Sequence, residues 1–376
     1  MINRVNAKTN LLEHSEAKIK LYGRYLSVYL NILHRAGFVR KIFLFDLFCG
    51  EGIYENDVKG SPIIALDAIR NHHFANKQTC PNMTIWFNDI GKSEIEDGVY
   101  KVDRVEQITS GMFIPPNVEI QYYRKDYRDI YRLAINEVKR TKDAKGLFFI
   151  DPFGYKVIKP DDLRQILEIG NTEIILWLPI AQMYRFAGSV RKSEFPGSEP
   201  LRDFLMELFG QNIPIFNSPY DFINQLKNRF RSYLHDLKIF VNTFTLERDV
   251  KNIYCLFFFT SHIKGYEAML GAKWDLDKEH GKGFTLKSAP MFFSEIELSG
   301  YEKKVKDYLS GSEYKTNSDI YLFGLENDFL PKHTKSVLDE LKKKGSELEV
   351  ISLDGESVRG YYIGDIKRKV GIRIRL

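Results

Sequence analysis

Apolar residues recur at helical spacing across residues 13–36, at Ile19, Tyr22, Leu26, Tyr29, Leu30 and Leu33, and Gly37 ends the run. The pattern then changes to a continuous apolar, aromatic-rich stretch, KIFLFDLFCGEG, that closes in a glycine-containing turn. This predicts a strand buried on both faces. Gly60, Ser61 and Pro62 open a second helix, Ser61 suiting the N-cap and Pro62 the first helical position. Further apolar strands are expected at MTIWFND, VEIQYYRKD, GLFFIDPFG and TEIILWLPI, with helices over 127–139 and 160–169. Residues 181–237 read as a mainly helical insertion broken at FPGSEP. IFVNTFTL and NIYCLFFFTS, joined by the charged turn ERDVKN, read as a hairpin.

Near-continuous apolar strands alternating with helices describe a doubly wound, mainly parallel α/β sheet covered on both faces. A five-strand parallel core closed by a terminal β-hairpin is the methyltransferase variant of the Rossmann-like sheet. Beyond about Glu297 the character shifts. YEKKVKDYL, residues 317–325 and KHTKSVLDELKKKG are three helix candidates, and ELEVISL with GYYIGDI reads as a hairpin. Three helices and a β-wing is the order of a small α+β winged-helix-like domain. The expected division is therefore 1–295, with the insertion at about 181–237, and 296–376.

The chain has 376 residues, enough for a large domain and a smaller one, and 44% hydrophobic residues point to packed cores. Aromatics reach 14%, a surplus that suits base stacking if some rings are exposed. The net charge of +5 is compatible with a nucleic-acid partner and equally with a solvated lysine-rich surface. Cys49, Cys80 and Cys255 lie far apart with no CxxC pair, so neither a disulfide framework nor a metal site is expected. The polar start has no signal core and no apolar run is long enough for a bilayer, so a cytoplasmic protein is expected, with no membrane partner.

In an open parallel sheet, ligands bind beyond the carboxyl ends of the strands. Each of the first four strands ends in suitable groups. After the first stand Asp46, Phe48, Gly50, Glu51 and Gly52, where glycines permit close backbone approach and Asp46 can take a ligand's amino group. After the second, Asp89 is placed to accept from ribose hydroxyls. After the third, Asp126 can accept from an adenine amino group and Tyr127 can cover its ring. The four ends together describe an adenosyl pocket, and S-adenosylmethionine is the cofactor they imply. Each piece has a plainer alternative, since strand-end aspartates commonly cap helices. No phosphate loop of the GK[ST] kind is present.

After the fourth strand stands DPFG, similar to the Asp/Asn-Pro-Pro-aromatic motif of amino-group methyltransferases. Asp151 and a nearby carbonyl can accept both protons of an exocyclic amine, aiming its lone pair at the methyl group. Pro152 stiffens the turn and withholds a competing donor. Phe153 can stack on a base drawn out of its helix. In the tail, Lys332, His333 and Lys335 open the third helix, as on a recognition helix that contacts DNA or RNA.

The segments EHSEAKIKLYGRYLSVYL, FLFDLFCGEGIY, GSPIIALDAI and GLFFIDPFGY, with the winged-helix-like tail, resemble the three-Cys-motif partner protein family (TcmP). The resemblance implies a bacterial, S-adenosylmethionine-dependent methyltransferase-like protein, from a mobile or phage-related gene cluster. It also implies a partner that carries a three-cysteine, radical-SAM-like motif. His14 and Lys18 of the first segment share a helix face, as a lid or phosphate contact or as a solvated surface. The leading expectation is methyl transfer to an exocyclic amine of a nucleic-acid base. A non-catalytic cofactor-binding sensor or partner protein is the alternative from another class.

Overall fold

Strands that are apolar on both sides must lie inside a sheet with covered faces. The computed structural model describes residues 13–76, 80–190, 199–249, 252–276, 283–285, 295–345, 347–365 and 367–375, and it places the apolar runs in that way. Strands β1 (Lys41–Asp46), β2 (Asn82–Asn88), β3 (Val118–Tyr123), β4 (Ala144–Ile150) and β5 (Thr172–Leu178) are parallel. Strands β6 (Phe240–Asp249) and β7 (Asn252–Thr260) form the hairpin, and β7 lies antiparallel to β5. A three-residue strand, β8 (Gly283–Thr285), joins β6, giving the order β3-β2-β1-β4-β5-β7-β6-β8. This is the expected methyltransferase-type sheet. The strand order reverses between β1 and β4, which puts the topological switch point of the sheet at their carboxyl ends.

Alternation along each strand separates two faces. Phe43, Phe45, Phe148, Ile174 and Leu176 pack with α4 (Tyr127–Arg140) and α5 (Pro160–Leu167) into one cluster. The insertion adds α6 (Ile180–Val190), α7 (Glu199–Phe209) and α8 (Pro219–Tyr233) to the same cluster. On the opposite face lies α1 (Glu13–Arg35), whose Tyr22 ring sits 4.3 Å from that of Phe149. Next to it is α2 (Ser61–Asn76). Gly23 permits the close approach of α1 to α2, since a Cβ there would meet Ile64 at 2.7 Å. Two further helices, α3 (Lys101–Ser110) and α9 (Ile263–Leu276), were not expected from the sequence.

The chain divides into two units, Met1–Ala272 with Gly283–Lys287, and Lys273–Lys282 with Ser288–Leu376. The second runs α10 (Glu295–Leu309), β9 (Lys315–Thr316), α11 (Asn317–Glu326), α12 (Pro331–Lys343), β10 (Leu348–Ser352) and β11 (Val370–Ile374). Its antiparallel sheet has the order β10-β11-β9, and Tyr301, Val305, Ile320, Leu338 and Ile372 fill its core.

One expected strand is corrected. GYYIGDI forms no strand among its described residues, and β10 pairs instead with VGIRI, Leu348 opposite Ile374 and Ser352 opposite Val370. The reason is local. Tyr362 at φ 51° and Gly364 at φ 87° turn the chain out of an extended path. The buried Asn317 amide then donates toward the carbonyls of Tyr362, Asp365 and Arg368, while its oxygen accepts from the Val370 N–H. Among the described residues, no helix is long and apolar enough to cross a membrane.

Candidate active site

The loops after β1, β2 and β3 are bolted together by Asn88, which is 2% exposed. Its amide donates to the carbonyls of Leu47 and Lys125, both at 3.1 Å, and its oxygen accepts from the Lys125 N–H at 2.9 Å. Backbone pairing continues past the strands, from Leu47 N–H to Phe149 and from Cys49 N–H to Asn88. The sequence drew attention to Asp89 at this strand end, and its neighbour holds the loops in place.

Gly50 and Gly52 have φ of 64° and 76°, the left-handed region that glycine adopts without strain. A Cβ on Gly50 would lie 3.0 Å from the Tyr54 hydroxyl, and one on Gly52 would lie 3.1 Å from Val105. Asp89 closes the turn. Its Oδ2 accepts from the Gly50 N–H at 3.1 Å and its Oδ1 from the Gly91 N–H at 2.7 Å. Glu51 is buried, and its carboxylate accepts from Ser93 Oγ and the Glu94 N–H, both at 2.8 Å. Arg104 stands 3.8 Å away and donates to the carbonyls of Glu51 and Ile53. Glu51 therefore ties the glycine turn to the loop after β2.

Asp46 lies deepest, at 2% exposure. Its Oδ2 accepts from Ser61 Oγ at 2.5 Å, while its Oδ1 is buried with no hydrogen-bond partner. Ser61 is the first residue of α2, and its hydroxyl serves Asp46 in place of the expected N-cap role. Burial raises the Asp46 pKa to about 7, Ser61 and the Phe48 backbone N–H oppose the shift, and the charges of Asp151 and Asp89 add to it. Asp46, Asp89 and Asp151 thus share one electrostatic neighbourhood at the ends of β1, β2 and β4. Tyr54 belongs to it as well: burial raises its pKa, and Asp151, Glu51 and Asp46 raise it further.

At the reactive end, Asp151 pairs with Lys18 of α1, which also lies over the Trp177 ring at 5.7 Å. The helix that carries the shared face of His14 and Lys18 thus reaches the DPFG turn, a contact that spacing alone could not reveal. The side chain of His14 lies outside the described residues. Pro152 is buried, and the Phe153 ring is 95% exposed.

Asp126 caps α4, accepting from the Arg128 N–H at 2.9 Å. The Tyr127 ring is buried, stacked between Phe48 at 5.5 Å and Tyr131 at 5.2 Å. In the second unit, His333 packs on Trp274 at 4.3 Å and accepts from the Leu330 N–H at 3.1 Å. Burial, helped by Lys332, lowers its pKa to about 4. Lys332 and Lys335 are exposed. A groove of about 440 Å³ is lined by Lys41, Trp86, Tyr123, Leu133 and Arg140, along β1–β3 and α4, and none of Asp46, Asp89 and Asp151 lines it.

Strand order and site together define a methyltransferase-type α/β protein. No protein-family model and no curated protein matches the chain. Among solved structures it is similar to Trm1 from Pyrococcus horikoshii in complex with S-adenosyl-L-methionine, at 14% identity and a TM-score of 0.36 over 95% of this chain and 90% of that one. It is also similar to the B. subtilis M1A22 tRNA methyltransferase TrmK, at 11% identity and a TM-score of 0.28 over 84% of this chain and 93% of that one. At TM-scores this low the likeness adds no argument, and the fold class rests on the strand order itself.

Proposed function

We propose that the protein is an S-adenosylmethionine-dependent methyltransferase that acts on an exocyclic amine of a nucleic-acid base. The observation that carries this reading is the Asp46 carboxylate. It is buried beside a glycine turn with one oxygen unpartnered, and it is coupled to Asp89 and Asp151 at neighbouring strand ends. A buried acceptor without a partner costs about 1–3 kcal/mol, which a bound ammonium group relieves. The cofactor supplies a methyl group already activated on its sulfonium. Asp46 holds the ammonium, and Asp89, from its place on the Gly50 turn, takes the ribose hydroxyls. Asp151 and a nearby carbonyl accept hydrogen bonds from the two amine N–H groups, Asp151 takes the one proton released as the methyl group moves from sulfur to nitrogen, Pro152 fixes the direction of the turn, and Phe153 stacks on the base. Asp126 bounds the adenine side from the end of β3, and the buried stack of Phe48 on Tyr127 backs it.

The second unit we read as a winged-helix-like nucleic-acid-binding domain, with Lys332 and Lys335 facing phosphates and His333 fixing the start of α12. Membership of the three-Cys-motif partner family, and with it a radical-SAM-like partner protein, belongs to the same proposal.

The Lys18–Asp151 pair favours a second reading, a cofactor-binding sensor, because it engages the carboxylate that an incoming amine needs. Transfer of labelled methyl groups from S-adenosylmethionine to total RNA and DNA separates the two. The enzyme reading requires transfer that Asp151→Ala abolishes and Phe153→Ala weakens, with cofactor affinity kept in both. Cofactor binding without transfer to either nucleic acid would establish the sensor.

A further inference from the structure

Apart from the strand-end acids, one cluster of ligating groups stands out at the far end of α1. His34 lies in the last turn of α1, His72 near the end of α2, and Cys80 just ahead of β2. One coordinating atom from each lies within 4.8 Å of the others. The two rings meet edge to face, 5.3 Å between centroids and 76° between planes. We propose that His34, His72 and Cys80 bind a zinc ion that fastens α1, α2 and the approach to β2 together.

His72 argues for a missing ligand. Its residue is 6% exposed, and its Nε2 is buried with no hydrogen-bond partner. Nδ1 is committed, 3.2 Å from the Asn76 amide nitrogen. An interior imidazole nitrogen without a partner costs free energy that coordination removes.

The donor set decides the metal. Two imidazoles and a thiolate select zinc over magnesium or calcium, which take oxygen ligands. Bonds of about 2.1 Å to nitrogen and about 2.3 Å to sulfur place tetrahedral ligand atoms roughly 3.5 Å apart. The cluster needs to contract by about 1 Å, within reach of small side-chain rotations. Three protein ligands leave a fourth position for water.

The role follows from distance. Lys18 and His34 are sixteen residues apart on one helix, about 24 Å along its axis. The ion is therefore remote from Asp151, and this site stands independently of the proposed methyl transfer.

The test uses the full-length, untagged chain. Purified protein should hold roughly one zinc per chain. After chelation, cobalt should restore binding with a near-ultraviolet thiolate-to-cobalt band that Cys80→Ser removes. Zinc should also raise the thermal midpoint of the chelated wild type, but not of Cys80→Ser or His34→Gln. Neither variant empties a buried side chain, so both are expected to fold. A wild type that neither retains zinc nor is stabilised by it would overturn the proposal. So would a thiolate-to-cobalt band that survives in Cys80→Ser, because sulfur from Cys49 or Cys255 would then be the ligand.

Discussion

Asp46 shows how much one side chain can set. With its folded pKa at about 7 and an ordinary value near 3.9, the fold favours its neutral form. Its contribution to stability is complete below about pH 4 and is lost as pH rises through about 7. Asp46→Asn should therefore flatten the fall in stability across that window, as urea titrations at several pH values will show. Cofactor binding has the opposite sign, because an ammonium group prefers the ionised carboxylate. Affinity should rise with pH up to about 7 and then level, by about tenfold per unit on the acidic side. In Asp46→Asn, calorimetric titration should find weaker binding without that slope. A slope that persists would assign the titration to another group. Asp46 was legible in the sequence as a strand-end acid. Its unpartnered oxygen was not, because the Ser61 contact that satisfies the other oxygen comes from 15 residues away in the chain.

At the scale of elements, two connections carry the argument. Helix α1 delivers Lys18 to Asp151, although 133 residues separate them. Both side chains are partly exposed, so the pair adds little stability, on the order of 1 kcal/mol or less. Its effect belongs to the reactive turn. Because the pair occupies the carboxylate that the amine needs, Lys18→Ala should raise the rate of methyl transfer severalfold, with cofactor affinity and thermal midpoint nearly unchanged. A rate equal to wild type would leave Lys18 as a surface contact. The second connection is Asn317, which holds the loop before β11. Asn317→Ala leaves the buried Val370 N–H and three part-buried carbonyls without this partner and should cost about 1–2 kcal/mol. Hydrogen exchange should rise across residues 360–370, and unchanged exchange there would refute the role. This loop is also where sequence pattern misled. GYYIGDI has the composition of a strand, but side-chain hydrogen bonds from Asn317 hold it in another path, and hydrophobic periodicity carries no trace of them.

For the whole molecule, charge distribution decides more than net charge. Several basic groups of the tail are engaged in ion pairs, Lys343 with Glu340, Lys344 with Glu302, and Arg373 and Arg375 with Glu349. Lys332 and Lys335 remain exposed at the start of α12. If that helix meets phosphates, affinity for duplex DNA or RNA should fall steeply as salt rises, and Lys332→Ala with Lys335→Ala should reduce the slope by about 2. A salt-independent affinity would remove the phosphate contacts. The architecture was readable before any coordinates, since strands such as FFI and IILWL are stable only with both faces covered, and their alternation with helices leaves few topologies. Strand-end acids and glycines were readable for the same reason, because sheet direction alone places them at one edge. Which of those acids share a pocket depended on the folded chain. The charges of Asp89 and Asp151 bear on Asp46, whereas Asp126 turned to cap its own helix. That choice, like the meeting of His34, His72 and Cys80, is made by contacts between residues far apart in sequence, whose energies no local pattern contains.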